Sequence, residues 1–267
     1  MIDDEKYLKL LAYLKKLDKV VLAFSGGVDS TFLLKAAQEA LGDRFKAVTI
    51  QSPYIPRWEI AEAKQLAEEL GVAFEIVKAP IIDEIRNNPE NRCYLCKKAV
   101  FGLIQAIAEK EGYAYIVDGT NFDDIGDYRP GLKALKELNI KSPLLDCALT
   151  KQEIRNYSKE LGLKTWDKPS YACLLTRIPY GNALKETDFV MIEKAERYMM
   201  ERGFRAIRVR CHGDLARIEV AREDRSRLLD ASLFDEIAVH FKGFGFKYVT
   251  LDLEGYRVGS FNAAIGK

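Results

Sequence analysis

The sequence contains no long uncharged run of apolar residues, so no segment of it reads as a membrane span. It begins Met1-Ile-Asp-Asp-Glu-Lys6, without the basic start and apolar core of a secretory signal, and a cytoplasmic location is expected. An excess of charge of either sign is also missing. Its 41 Lys and Arg stand against 40 Asp and Glu, which argues against a broad basic surface for long nucleic acids. Only two histidines occur, His212 and His240, and neither lies in a pattern that marks a general base. The five cysteines are an odd number in a compartment expected to be reducing. A disulfide framework explains them poorly, and metal or sulfur chemistry becomes the question. Internal repeats and low-complexity segments are absent as well.

What is present is a chain of 267 residues, 48% apolar and 30% charged, with the composition of a soluble globular protein. At roughly 100–200 residues per domain, that length suits one large domain and a smaller one. The apolar run Val20 to Phe24 predicts a parallel strand covered on both faces, and Phe32, Leu33, Ala36 and Ala37 give the next segment a helical apolar face. Between them lies Ser25-Gly-Gly-Val-Asp-Ser30, a glycine turn from strand into helix. Free amides of a first helical turn, with the helix dipole behind them, favour an anion, and phosphate is the natural guest. The turn is neither G-x-x-x-x-G-K-[ST] nor G-x-G-x-x-G, and it carries an acid where the former has its lysine. It resembles the S-G-G-x-D-S loop of the ATP pyrophosphatase (PP-loop) superfamily, whose members activate a substrate as its adenylate. On that resemblance Ser25, Gly26, Gly27 and Ser30 hold phosphate oxygens of ATP, and Asp29 helps to place Mg2+ on them.

Periodicity further predicts a helix over Asp4 to Leu17, a strand Phe45 to Gln51, a helix Arg57 to Leu70 and a strand Ala73 to Val77. A polar stretch, Asn87 to Cys96, leads into a helix from about Lys97 to Glu111, and a strand follows from Tyr113 to Val117. Alternation of this kind means an α/β domain, a parallel twisted sheet with helices on both faces. Gly119, Thr120 and Asn121 follow that last strand, where open sheets bind ligands, and form a second candidate ATP loop. A helix from Lys151 to Leu161 closes this domain, taken as 1–165. Residues 166–186 read as a connecting loop with catalytic content, since two prolines and a terminal glycine break any period while aromatic residues argue against disorder. Residues 187–267 read as a small α+β domain for substrate or oligomerisation. Its elements are a helix Thr187 to Arg202, strands Ala206 to Cys211 and Ala216 to Val220, helices Arg222 to Ala231 and Phe234 to Lys242, and a strand Tyr248 to Leu253.

Cys93 and Cys96 form a single C-x-x-C, half of what a zinc ribbon needs, while Cys173 lies in the irregular loop. Three thiolates with an open fourth iron position suit a [4Fe-4S] cluster able to bind an external sulfide. Cys147 and Cys211 lie in or beside apolar runs and read as packing residues. Arg208 and Arg210 alternate on one strand face, with Glu219 on the next strand. An arginine pair clamps a phosphate better than two lysines do, although a solvated face paired with carboxylates is the plain alternative.

Five stretches together carry a closer resemblance: 91–97 (NRCYLCK), 118–131 (DGTNFDDIGDYRPG), 168–181 (KPSYACLLTRIPYG), 212–219 (HGDLARIE) and 251–260 (LDLEGYRVGS). They are similar to the LarE family, over nearly the whole chain. The resemblance implies an adenine nucleotide alpha hydrolase-like PP-loop domain and an ATP-dependent sulfur transferase. Such an enzyme adenylates carboxylates of pyridinium-3,5-biscarboxylic acid mononucleotide and converts them to thiocarboxylates, giving the precursor of the nickel-pincer cofactor of lactate racemase. It also implies Cys173 as sulfur donor, substrate contacts from Arg177, Arg208, Arg210 and Glu219, and a homo-oligomer. Some members give up the cysteine's own sulfur and keep dehydroalanine. The additional Cys93 and Cys96 favour instead an iron–sulfur cluster held by Cys93, Cys96 and Cys173. A tRNA thiolase of the same superfamily is the rival enzyme, and it predicts a basic stripe that the charge balance lacks. An amidotransferase-type ligase leaves the three cysteines unexplained, and a non-catalytic nucleotide-binding regulator is the alternative from another class.

Overall fold

The computed structural model describes residues 2, 4–126 and 130–257. Two of the stretches that carry the resemblance, 118–131 and 251–260, run partly outside them. The chain folds into two compact units, Met1–Ile82 with Asn91–Ser170 and Asp83–Glu90 with Tyr171–Lys267. The division falls at residue 170, inside the stretch 166–186, and the second unit takes residues 83–90 from the middle of the first. Hydrogen bonds give the reason. Within the second unit Leu184 donates its amide to the Arg86 carbonyl at 2.8 Å and Gly181 donates to that of Asn88 at 3.1 Å. The fully buried Asn88, at a left-handed φ of 47°, donates its amide nitrogen to the Ile178 and Pro179 carbonyls at 2.8 and 3.0 Å.

The first unit begins with α1 (Glu5–Leu17), capped by the Asp4 carboxylate on the Lys6 amide, and continues with β1 (Val20–Ala23), α2 (Val28–Leu41) and β2 (Phe45–Gln51). Then come α3 (Arg57–Glu69), β3 (Phe74–Lys78), α4 (Arg92–Glu111) and β4 (Tyr115–Val117). The four strands form one parallel sheet in the order β3-β2-β1-β4. Along β1, Val20 and Leu22 enter a core shared with α1, α2 and α3, whereas Val21 enters a second core with Phe101, Ile104 and Ala108 of α4. Successive side chains point to opposite faces, so a strand apolar at every position needs helices on both. The chain leaves β1 toward β2 on one side and reaches β4 on the other. The carboxyl ends of β1 and β4 therefore open at the point where ligands bind in such sheets.

Three local differences from the sequence reading have physical causes. Helix α4 starts at Arg92 rather than near Lys97, so Cys93 and Cys96 lie in its first two turns and not ahead of it. Pro89 and the polar residues around it disguise a segment that contains no helix breaker after Asn91. Two short helices, α5 (Pro130–Glu137) and α6 (Pro143–Asp146), precede α7 (Lys151–Glu160) and are too brief to show a period. Residues 222–229, with six charged or polar side chains, form 3-10 turns rather than the expected α-helix.

In the second unit Leu174–Arg177 is a 3-10 turn, followed by α8 (Glu186–Glu201), β5 (Ile207–His212), β6 (Leu215–Val220), α9 (Ala231–Phe244) and β7 (Tyr248–Leu251). Strand β6 is central, antiparallel to β5 and parallel to β7. Phe189, Ile192 and Met199 of α8 are buried, as are Ile207 and Val209 of β5. Among the described residues no helix is long and apolar enough to cross a membrane. Replacing Asn88 by Ala strands buried carbonyls at 178 and 179 and is expected to cost about 1–3 kcal/mol. Chemical denaturation followed by Trp-independent circular dichroism measures that loss.

Candidate functional site

The turn after β1 is built to leave amides open. Gly26 takes φ +69°, and a Cβ there would stand 3.1 Å from the Cα and Cβ of Ala63 on α3, so both conformation and space favour glycine. Gly27 is the N-cap of α2, and no side chain caps that helix. The contrast is with α7, where Thr150 and Glu153 form a reciprocal capping box. An uncapped first turn keeps unsatisfied N–H groups and the positive end of the helix dipole for a ligand. The loop is instead tied across its mouth, with Ser25 Oγ 3.0 Å from Ser30 Oγ and the Ser30 hydroxyl 3.3 Å from the Gly27 carbonyl.

The loop after β4 touches this turn, so the two candidate ATP loops come together. A Cβ on Gly119 would lie 3.0 Å from the Ser30 amide nitrogen, which makes Gly119 the point of close backbone approach. Thr120 donates to Asp118 at 2.5 Å and Ser142 donates to the other oxygen of the same carboxylate at 2.6 Å, which fixes the strand's exit. Asn121 donates its amide to Asp29 Oδ1 at 3.2 Å, and Lys151, the first residue of α7, donates to Asp29 Oδ2 at 2.5 Å. Asp29 is thus aimed by two neighbours and remains partly exposed. An oriented carboxylate beside an anion-binding turn fits a divalent cation that bridges to phosphate.

Cys93 and Cys96 are half-buried, one helical turn apart on α4. Cys96 borders an apolar cavity of about 200 Å³ lined also by Tyr54, Ala79, Val100 and Leu103. Its Sγ lies 3.1 Å from the Tyr54 hydroxyl. Burial raises the Cys96 pKa above the ordinary thiol value, while Tyr54 opposes that rise. Cys173 belongs to the second unit, where it heads the 3-10 turn Leu174–Arg177 and is half-buried. Soft thiols are the right donors for iron–sulfur ligation, and the first-unit pair has the one-turn spacing of neighbouring ligands. Among the described residues no group of three or more His, Cys, Asp or Glu is gathered at metal-binding spacing. Cys147 and Cys211 are buried, and burial pushes the Cys211 thiol up to about 12.

The second unit gathers Arg177, Arg208, Arg210 and Glu219, and none of them is solvated. Their exposures are 1%, 4%, 4% and 0%, which rules out the plain alternative of a wet strand face. Arg177 forks onto Glu196 at 2.9 and 2.8 Å, and its Nη1 donates to the carbonyls of Ala172 and Cys173 at 2.5 and 3.2 Å. It thereby fixes the turn that carries Cys173. Arg210 forks onto Glu219 at 2.9 and 2.7 Å and reaches the Thr176 carbonyl at 2.6 Å. Arg208 lies over the rings of Tyr171 and Tyr256, with centroid distances of 5.8 and 4.8 Å. Burial first, and then the Arg177 charge, lower its pKa from the usual arginine value. Arg177 and Arg210 are each held by a buried glutamate, Glu196 and Glu219, and planar guanidiniums held in this way have the geometry that matches an anionic oxygen group. Sequence reasoning missed Glu196, although an acid within the buried α8 register of Ile192, Ala195 and Met199 is a signal. Lys151 and Lys168, which donates to the Gly26 carbonyl at 3.0 Å, were missed without any such signal.

Comparison with known proteins places this geometry. The NAD synthase family model matches residues 4–107, from α1 into α4. An uncharacterized protein of Synechocystis is 39% identical over 99% of both chains, and one of Methanocaldococcus jannaschii is 37% identical over 96% of this chain and 99% of its own. The pyridinium-3,5-bisthiocarboxylic acid mononucleotide synthase of Lactiplantibacillus plantarum is 38% identical over 97% of this chain and 94% of its own. The chain belongs to the LarE family. As a LarE-family protein it is an ATP-dependent enzyme of the PP-loop type. Its match to that synthase extends through both compact units, well past the segment shared with NAD synthase.

Two outcomes follow for the LarE-family site. Gly119→Ala forces the β4 loop off the α2 terminus and is expected to weaken ATP binding by roughly 10-fold or more, measured by calorimetry. Because burial disfavours the thiolate, iodoacetamide alkylation of Cys96 should keep accelerating above pH 9, the ordinary thiol value. Tyr54→Phe removes the opposing hydrogen bond and should shift that profile to still higher pH.

Proposed function

We propose that this enzyme adenylates the carboxylates of pyridinium-3,5-biscarboxylic acid mononucleotide and replaces the activated oxygen by sulfur, making the thiocarboxylates of the nickel-pincer precursor. The observation that carries the reading is the 38% identity to the Lactiplantibacillus plantarum synthase over 97% of this chain, joined to a glycine turn with an uncapped helix behind it. ATP phosphates lie on Ser25, Gly26, Gly27 and Ser30, with Mg2+ at Asp29, and the loop Gly119 to Asn121 holds that acid in place. A substrate carboxylate oxygen attacks the α-phosphorus, the bond to the bridging oxygen of the β-phosphate breaks, and pyrophosphate leaves. A poor leaving group has become a good one. A sulfur nucleophile then attacks the acyl carbon and AMP departs with the original carboxylate oxygen.

Arg208, Arg210 and Glu219 form the site for the substrate's own phosphate, a reading supported by two buried guanidiniums at alternate positions of β5 with Glu219 on the paired strand. Arg177 keeps the Cys173 turn in shape beside it in sequence. Cys93, Cys96 and Cys173 would hold a [4Fe-4S] cluster, which when bound supplies the sulfide at its open iron. The second route uses Cys173 itself: its thiolate forms the thioester, and β-elimination across the Cα–Cβ bond releases the thiocarboxylate and leaves dehydroalanine. The possession of a C-x-x-C on one helical turn favours the first.

Mixing the protein with ATP and the pyridinium biscarboxylate should release AMP and pyrophosphate, whereas transfer RNA should elicit none. Release with transfer RNA alone would support the thiolase reading, and release with neither would support a regulator. Cys173→Ser should keep pyrophosphate release and abolish thiocarboxylate. Anaerobic purification should give an iron–sulfur chromophore and a Cys173 of unchanged mass after turnover. Loss of the mass of hydrogen sulfide from iron-free protein would establish the sacrificial route.

A further inference from the structure

The glycine turn has no lysine of its own, yet a lysine reaches it from far along the chain. Lys168 Nζ donates to the Gly26 carbonyl at 3.0 Å and to Glu62 of α3 at 2.8 Å, and its side chain is only 15% exposed. The segment that delivers it is held deliberately. Arg155 of α7 forks onto the Trp166 and Lys168 carbonyls at 2.6 and 2.9 Å, and the Lys168 amide donates to the Thr165 carbonyl at 3.0 Å. A half-buried ammonium with one carboxylate partner is costly to keep for packing alone, because Lys168 loses much of its hydration there.

Its effect follows from the planar peptide. The Gly26 carbonyl and the Gly27 amide belong to one trans peptide unit and point in opposite directions. Gly26 is the loop residue with φ +69°, and glycine peptides flip readily because no Cβ resists. Gripping the carbonyl from the α3 side therefore fixes the direction of the Gly27 N–H, which lies over Ser25 Oγ at 3.4 Å on the exposed side of the turn. That contact is long, so the N–H is only weakly satisfied and stays available to a phosphate oxygen.

We infer that Lys168 is a positioning residue for ATP's polyphosphate: through the Gly26 carbonyl it locks the Gly26–Gly27 peptide with its N–H facing the phosphate site. The inference rests on the reading of Ser25 to Ser30 as that site. Equilibrium binding of MgATP, inorganic pyrophosphate and AMP to the full chain tests it without any sulfur chemistry. Lys168→Met should weaken ATP and pyrophosphate by roughly 10-fold, the worth of one hydrogen bond to a charged group, with AMP unchanged. Lys168→Arg keeps a cationic donor and should restore most of the loss. Lys164→Gln, in the same turn but exposed and paired only with Glu69, should bind all three ligands as wild type does. Arg155→Met leaves Lys168 intact but frees its segment, and should reproduce the same selective loss to a smaller degree, even if Lys168→Met does not fold. Unaltered ATP binding by Lys168→Met, equal losses of ATP and AMP, or absence of rescue by arginine overturns the role of Lys168 alone. Failure of the wild type to bind ATP or pyrophosphate overturns the activation site itself and this inference with it.

Discussion

The structure of the first unit depends on one constraint, an anion site made of backbone at the start of α2. Backbone amides are fixed donors without conformational freedom to lose, but they bind phosphate only if no protein group satisfies them first. That requirement explains several features at once. No side chain caps α2, Gly26 adopts a left-handed conformation that side chains rarely take and sits close against Ala63, and Gly119 lets the β4 loop come against Ser30. Two lysines approach the turn from outside it, Lys151 on Asp29 and Lys168 on the Gly26 carbonyl and Glu62. A P-loop carries its cation within the sequence motif, whereas here tertiary structure brings it.

The second unit solves a different electrostatic problem. Arg177, Arg208 and Arg210 are removed from water, which is tolerable only because two glutamates, backbone carbonyls and aromatic faces surround them. Geometry of this rigidity is suited to recognising an anion by shape, since Glu196 and Glu219 hold their arginines by planar forks. The same Arg177 secures the carbonyls of Ala172 and Cys173. One guanidinium therefore joins Glu196 of α8 to the turn that carries Cys173, and Asn88 props the end of that turn from the 83–90 segment.

Much of this was legible in the sequence because periodicity and turn chemistry act locally. Val20 to Phe24 reads as a covered strand, Ser25 to Ser30 as a turn into a helix with open amides, and Arg208 and Arg210 as alternate positions of one strand with Glu219 on the next. Legibility failed where the cause was not local. The first turn of α4 lacks an apolar stripe, so Cys93 and Cys96 read as loop residues until the fold placed them on a helix. Lys151 and Lys168 look like surface lysines, because what draws them to the glycine turn is a carboxylate and a carbonyl more than a hundred residues away. The return of 83–90 to the second unit, through the left-handed Asn88, has no sequence period at all.

In the proposed reaction a substrate carboxylate oxygen is transferred to phosphorus before sulfur takes its place. Turnover of substrate carrying heavy oxygen in its carboxylates, followed by mass analysis of the nucleotide and phosphate products, tests it most directly. The account predicts the heavy label in AMP and none in pyrophosphate. Label in pyrophosphate, or thiocarboxylate formed with unlabelled AMP, would contradict it.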